Sequence, residues 1–253
     1  MAYIQKGKFL EAEIIRREDV TSNLWKIWIK SENRLVFAPG QYCTIGAELI
    51  ERPYSIASSP DEPAIELFVD LLPAPEGKLT PILHKSKVGD KLTLRPRAKG
   101  RFVLQPQFKQ HVLMGTGTGI VPYVSILRKF LNDDGWPGNG IDRSKYQFHI
   151  LNGVSYQDEF GYREELSRMA SENDFIEFMP SISRPQECRN NSWTGATGRI
   201  NELVEDYIND RNLDPLDTCI YACGHPMMIE DVRKKFKNSG YQFVEERFWK
   251  DVG

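Results

Sequence analysis

No apolar run in the chain is long enough to cross a bilayer. The opening residues, MAYIQKGKFLEAEIIRRE, also lack the apolar core and small-residue cleavage site of a secretory leader. These two absences lead us to expect a cytoplasmic protein. Cysteine is scarce: Cys43, Cys188, Cys219 and Cys223 are too scattered for the thiolate spacings of an iron–sulfur centre. Cys219 and Cys223 lie inside the apolar run TCIYACG, which reads as buried reduced thiols on a core strand rather than a metal pair. The four histidines, His84, His111, His149 and His225, show no ligand spacing, so no metal is expected. An excess of charge is missing too. The formal net charge of −2 gives no compositional case for nucleic acid, although a local basic face is still allowed. Internal repeats and low-complexity tracts are absent.

What is there is a globular balance of 40% hydrophobic and 27% charged residues. At 253 residues the chain can form one large domain or two ordinary ones. Its halves are patterned differently. In the first hundred residues, LWKIWIK (24–30), AIELFVDLL (64–72) and KLTLR (91–95) alternate as strands do. Turn signals separate them, and the spacing predicts a small antiparallel barrel. Thr80-Pro81 reads as a helix N-cap followed by proline at the first helical position. From about residue 111, strands alternate with helices: HVLMG, KYQFHILNG, DFIEFMPSISR, TCIYACG and YQFVEERFW, separated by amphipathic stretches. That alternation predicts a parallel sheet of five strands with helices on both faces. The change of pattern falls in the linker around residues 100–110.

Three features of the second half suit a phosphate-bearing ligand. MGTGTGIVPY (114–123) follows a strand and opens a helix, where glycines let amide groups approach an anion. It lacks the third glycine of the G-x-G-x-x-G fingerprint and the lysine of a Walker A loop, so taken alone it serves equally well as a structural turn. Ser183 and Arg184 end the third strand of this half and Arg199 opens a helix. Such a set suits a 2′-phosphate, although a single arginine is by default a solvated surface residue. CGHP (223–226) is another strand-end turn, with Gly224 permitting close backbone approach and Pro226 starting a helix. In the first half, RPYSIASSP (52–60) places a cation, a phenol and a hydroxyl on a strand that a core would fill with apolar residues.

The ordered set RPYS (52–55), EGKLTPIL (76–83), GTGTGIVPYVSIL (115–127), SR (183–184), TGRI (197–200), CGHPMM (223–228) and the terminal pair Phe248-Trp249 resembles the ferredoxin–NADP⁺ reductase family, across essentially the whole chain. The likeness is closest to the bacterial flavodoxin/ferredoxin enzymes. It implies a six-stranded antiparallel FAD-binding β-barrel at residues 1–105 and a parallel α/β NADP-binding domain at 106–253. It implies that Arg52 holds the flavin diphosphate, that Tyr54 stacks on the ring, and that Ser55 bonds near flavin N5, with Pro53 beside them. Strand alternation puts Arg52 and Tyr54 on one face, so Ser55 needs a bulge or bend to reach the same ligand. Val69, Asp70 and Leu71 are expected along the flavin, Lys78, Leu79 and Thr80 over its diphosphate, Thr118 near it from the second half, and Phe248 and Trp249 against it. Gly117, Ser183, Arg184, Arg199, Cys223, Gly224 and Met227 are expected at NADP.

The implied activity is electron exchange between NADP(H) and ferredoxin or flavodoxin by a cytoplasmic monomer. Two alternatives stand beside it: a stand-alone reductase of an oxygenase system, and a flavin-binding module with little turnover. Lys85, Lys87, Lys91, Arg95, Arg97, Lys99 and Arg101 form a basic stretch that suits an acidic carrier, or an ordinary solvated strand face. The sequence departs from the family pattern twice. Ser155 stands where close relatives carry arginine, and Lys-Asp-Val-Gly follows Trp249.

Overall fold

The computed structural model describes residues 9–134, 136–138 and 142–247. The described chain divides into two compact units: the residues up to Val103 together with Val121–Asn132, and Leu104–Ile120 together with the residues from Asp133 onward.

The first unit is built on β1 (Leu10–Asp19), β2 (Leu24–Ser31), β3 (Tyr42–Ala47), β4 (Ile50–Ser55), β5 (Ile65–Asp70) and β6 (Lys91–Leu94), with α1 (Thr80–Lys85) between the last two. The strands pair antiparallel in the order β4-β3-β6-β1-β2-β5. Alternation explains the inside: Trp25, Ile27 and Ile29 of β2 are buried, while Lys26, Trp28 and Lys30 between them are not. They join Ile14, Cys43, Ile45, Leu67, Val69, Leu92 and Leu94 in one core. The expected six-stranded barrel is thus present and nearly closed. Closure comes just after β4, where Ile56 N–H still bonds Gln41 beside β3 (3.2 Å) and Ala57 N–H already bonds Glu66 of β5 (2.9 Å).

Thr80 differs from its expected place. The cap position of α1 is Leu79, Thr80 is the first helical residue, and no side chain caps the helix. The Thr80 hydroxyl is engaged elsewhere. It donates to Leu72 O (2.8 Å) and accepts from Leu72 N (3.1 Å), closing the loop 72–80. At the other end of α1, Arg17 donates to the carbonyls of Leu83, His84 and Ser86, a cation at the negative end of the helix.

The second unit contains β7 (Gln110–Thr116), β8 (Gln147–Val154), α3 (Arg163–Glu172), β9 (Ile176–Ile182), β10 (Ala196–Thr197), α4 (Ile200–Asp210), β11 (Thr218–Cys223), α5 (Pro226–Phe236) and β12 (Gln242–Glu246). The helix α2 (Val121–Asn132) follows β7 in sequence and groups with the first unit. The sheet is parallel, in the order β10-β9-β8-β7-β11-β12. It has six strands among the described residues, not the expected five. The additional strand, β10, is two residues of the turn after Trp193 that pair with Ser181 and Ile182, too short to show any apolar period. β8 and β11 are buried almost throughout, as parallel strands covered on both faces must be. Cys219 and Cys223 are buried on β11, as their apolar setting predicts. The helices bury one stripe each: Ile200, Val204, Tyr207 and Ile208 on α4, and Met228, Ile229, Val232 and Phe236 on α5. No described helix is long and apolar enough to cross a membrane.

Candidate functional site

Arg52, Pro53, Tyr54 and Ser55 form the last four residues of β4. Their register against β3 is unbroken, with Arg52 opposite Ile45, Pro53 opposite Thr44, Tyr54 opposite Cys43 and Ser55 opposite Tyr42. Of the ways Ser55 could be brought round, a bulge is therefore absent. Arg52 and Tyr54 share one face and Ser55 takes the other, because a regular pleat alternates its side chains. The bend comes one residue later, at the Ile56–Ala57 corner where the chain changes partner strand. Arg52 is exposed, Tyr54 half-buried against the barrel core, and Ser55 only 8% exposed. Burial pushes the Tyr54 hydroxyl well above its ordinary range, and the Arg52 charge pulls the other way. At neutral pH the ring is a neutral phenol.

Val69 is fully buried in the barrel core, while Asp70 is exposed and Leu71 half-buried. The loop 72–80 folds tightly. A Cβ on Gly77 would lie 1.6 Å from Leu72 O, so no other residue fits there. The loop leaves Lys78 exposed and Leu79 buried. Among the described residues, the amides of Lys78, Leu79 and Thr80 donate to no protein acceptor, which leaves three successive donors for an anion.

In the second unit, the carboxyl ends of β7, β9, β10 and β11 carry the other expected residues, the edge of a parallel sheet where ligands bind. Gly117 and Thr118 begin a 3-10 turn after β7, both half-buried. Gly117 has φ +53° and open space around it. Gly119 has a packing role, since a Cβ there would meet Cys223 O at 2.2 Å. Ser183 donates its amide to Val154 O (2.9 Å). Arg184 donates to the Tyr156 hydroxyl (2.9 Å), and Arg199 sits at the cap position of α4, exposed and without an ion pair among the described residues. Cys223 is buried, Gly224 has φ +123°, and Met227 is 76% exposed. Phe248 and Trp249 lie outside the described residues.

Sequence reasoning missed the scaffold of this end. Asn190, 3% exposed, donates to Ser155 O (3.0 Å) and Arg184 O (2.8 Å) and accepts from Gln157 N (2.8 Å). One side chain thereby ties the loop after β8 to the loop after β9. Arg189 lies 3.9 Å over the Tyr156 ring and pairs with Asp158 at 2.6 Å. A lone asparagine in a polar loop carries no sequence signal, and Arg189 looks like any surface arginine.

Within the basic stretch, Lys91 pairs with Glu13 (2.6 Å) and Arg95 with Glu51 (2.5 Å). Both cations are thus partly neutralised.

Residues 113–234 match the family described as an oxidoreductase NAD-binding domain. The flavodoxin/ferredoxin–NADP reductase of Escherichia coli is 29% identical over 212 residues, covering 79% of this chain and 78% of that protein. The protein of the same name from Buchnera aphidicola is 26% identical, covering 95% and 99%. Among solved structures, a ferredoxin NADP⁺ reductase from Neisseria gonorrhoeae with bound FAD and NADP superposes with a TM-score of 0.81 at 23% identity, over 96% of this chain and 100% of that one. Matched domain, relatives and fold all point the same way: along most of its length this chain is similar to ferredoxin–NADP⁺ reductases.

Proposed function

We propose that the protein is an FAD-dependent oxidoreductase exchanging electrons between NADP(H) and a small one-electron carrier, a ferredoxin or flavodoxin. The observation that carries this reading is the end of β4. There a cation and a half-buried neutral phenol share one face, and a nearly buried serine follows at the barrel corner. A structural strand needs none of the three. The residues present also fit the cofactor, because the unpartnered amides of Lys78, Leu79 and Thr80 suit a diphosphate.

When bound, FAD supplies hydride and single-electron chemistry at its N5 atom. The protein's own groups bind and orient. Arg52 holds the diphosphate by charge, Tyr54 presents a flat face to the ring, and Ser55 holds a hydrogen bond near N5. Val69, Asp70 and Leu71, Lys78 through Thr80, Thr118, and Phe248 with Trp249 complete the flavin contacts in this reading. Gly117, Cys223, Gly224 and Met227 receive the nucleotide, while Ser183, Arg184 and Arg199 take its 2′-phosphate. With Ser155 replacing a cation and Arg189 already paired, NADPH preference falls on Arg184 and Arg199. The flavin-binding part is assigned to residues 1–105 and the nucleotide-binding part to 106–253, in a cytoplasmic monomer.

The test is steady-state electron transfer from NADPH to purified ferredoxin or flavodoxin by the FAD-loaded protein. Turnover that saturates with carrier and weakens with salt supports the reading. Turnover with free FAD and NADPH but none with either carrier removes the carrier assignment.

A further inference from the structure

The turn between β11 and α5 is fastened in an unusual way. Chains generally enter a helix on serine, threonine, asparagine or aspartate. Here the position belongs to His225, whose Nδ1 accepts the amide N–H of Met227 at 3.2 Å. The amide of His225 itself donates to Thr116 Oγ1, at the end of β7, at 2.8 Å. The two turns are fitted together with no room to spare. A Cβ on Gly224 would lie 2.3 Å from Thr116 Oγ1, and one on Gly119 would lie 2.2 Å from Cys223 O. The Thr116 hydroxyl therefore ties the two turns together through the His225 amide, and the imidazole closes the Cys223–Met227 turn on itself.

We propose that Thr116 and His225 form a latch that sets the Cys223–Met227 turn for nucleotide binding, with His225 as a positioning residue whose neutral ring is the closed form. The proposal rests on the nucleotide reading of this turn and adds its control by pH. Only a neutral imidazole has a lone pair for Met227 N–H. A protonated ring loses that acceptor and places positive charge at the end of α5 where the helix dipole is already positive. Protonation therefore opens the latch.

Charged groups on α5 and on the elements packed against it are engaged with one another, apart from Glu202, Asp206 and Asp210 of α4, which are exposed. Glu205 of α4 pairs with Lys235 (2.7 Å), Glu245 of β12 with Arg233 (2.8 Å), and Arg247 with Glu230 (2.8 Å). Asp231 accepts from Asn201 (2.7 Å), and Glu246 of β12 acts on the buried Cys223 thiol, whose pKa burial raises well above the ordinary value. The segment Thr116–Ile120 contributes no ionisable side chain.

The experiment measures the NADP⁺ dissociation constant of the FAD-loaded protein from flavin difference spectra. It compares wild type with His225→Asn, His225→Ala, Thr116→Val and Thr116→Ser, at about pH 8 and about pH 5.5. At the higher pH, wild type, His225→Asn and Thr116→Ser bind alike, and His225→Ala and Thr116→Val bind about threefold to tenfold more weakly, the usual worth of a cap. At the lower pH, wild type weakens toward His225→Ala, while His225→Asn keeps its lead. The nucleotide's own phosphate titrates in both proteins, so the ratio of wild type to His225→Asn is the quantity read. Equal pH dependence in those two proteins overturns the latch. Tighter binding by wild type than by His225→Asn at low pH overturns it too, because the ring would then be a direct cationic ligand. Binding that ignores all four substitutions overturns the latch alone. No binding by wild type at either pH overturns the nucleotide reading, and the latch with it. The asparagine and serine variants keep the comparison open if an alanine or valine variant fails to fold.

Discussion

Tyr54 is the residue on which the flavin assignment bears most. Its ring is half-buried and neutral, and its face is shared with Arg52. Tyr54→Ala is expected to cost FAD retention or flavin reduction rate about tenfold, the scale of an aromatic contact, whereas Tyr54→Phe keeps the stack and most of the function. Normal FAD retention and normal reduction in the alanine variant would remove the stacking role. Arg199 carries the corresponding weight for the nucleotide. Arg199→Ala is expected to lower efficiency with NADPH about tenfold to a hundredfold, the worth of a charge-assisted bond, and to leave NADH nearly unchanged. Equal losses with both would mean that Arg199 does not read the 2′-phosphate. Arg52 and Tyr54 stand out in the sequence because a cation and a phenol occupy a strand that calls for apolar side chains, whereas Arg199 opens a helix and its composition alone reads as a solvated arginine. Thr80 was misread because a threonine before a proline has the composition of a cap, and nothing local reveals that Leu72 takes its hydroxyl. Asn190 was invisible because its three partners come from segments some 6 to 35 residues away.

At the scale of elements, α2 gives the clearest case of packing that sequence does not announce. The strand–helix alternation predicts the helix itself, but not that it groups with the barrel unit. Arg128 Nη1 donates to Glu66 Oε2 at 2.6 Å, and the Glu66 side chain is 2% exposed. Ser125, fully buried, donates to Ser58 O at 2.7 Å. Removing one partner leaves a buried charge, so Arg128→Met is expected to destabilise the protein by about 3–5 kcal/mol. The double variant Arg128→Met/Glu66→Met should recover much of that loss in denaturant unfolding. Additive losses would show that the pair is not coupled. The sixth parallel strand and the regular register of β4 were also beyond the sequence. A two-residue strand has no period, and a bend placed after Ser55 instead of at it depends on which strand accepts Ala57 N–H.

At the scale of the whole molecule, the two patterns of periodicity were enough to read a barrel followed by a parallel α/β sheet, because each buries its apolar residues at its own spacing. The acid behaviour of the fold follows from two buried histidines. Burial lowers His111 to about 3, and lowers His149 to about 4 against the opposing pull of Glu177. Both are neutral in the folded protein at pH 7, while the unfolded chain takes up protons from about pH 6.5 downward. The folded state then binds fewer protons, so stability is full above that pH and erodes as pH falls toward 4 and then 3. The slope reaches about 1.4 kcal/mol per pH unit for each histidine. His111 stacks with Tyr146 and Phe148, so His111→Phe keeps the stack and should flatten the decline between about pH 6 and 4.5. An unchanged slope would mean that His111 is not the group responsible.

Flavin and NADP(H) act together on this chain in the proposed function, and anaerobic titration of the purified, FAD-supplied protein shows whether they do. The expected protein is yellow, and its flavin absorbance bleaches stoichiometrically with NADPH and far less readily with NADH. A protein that stays colourless after FAD is supplied, or a flavin spectrum that NADPH leaves unchanged, would contradict that function.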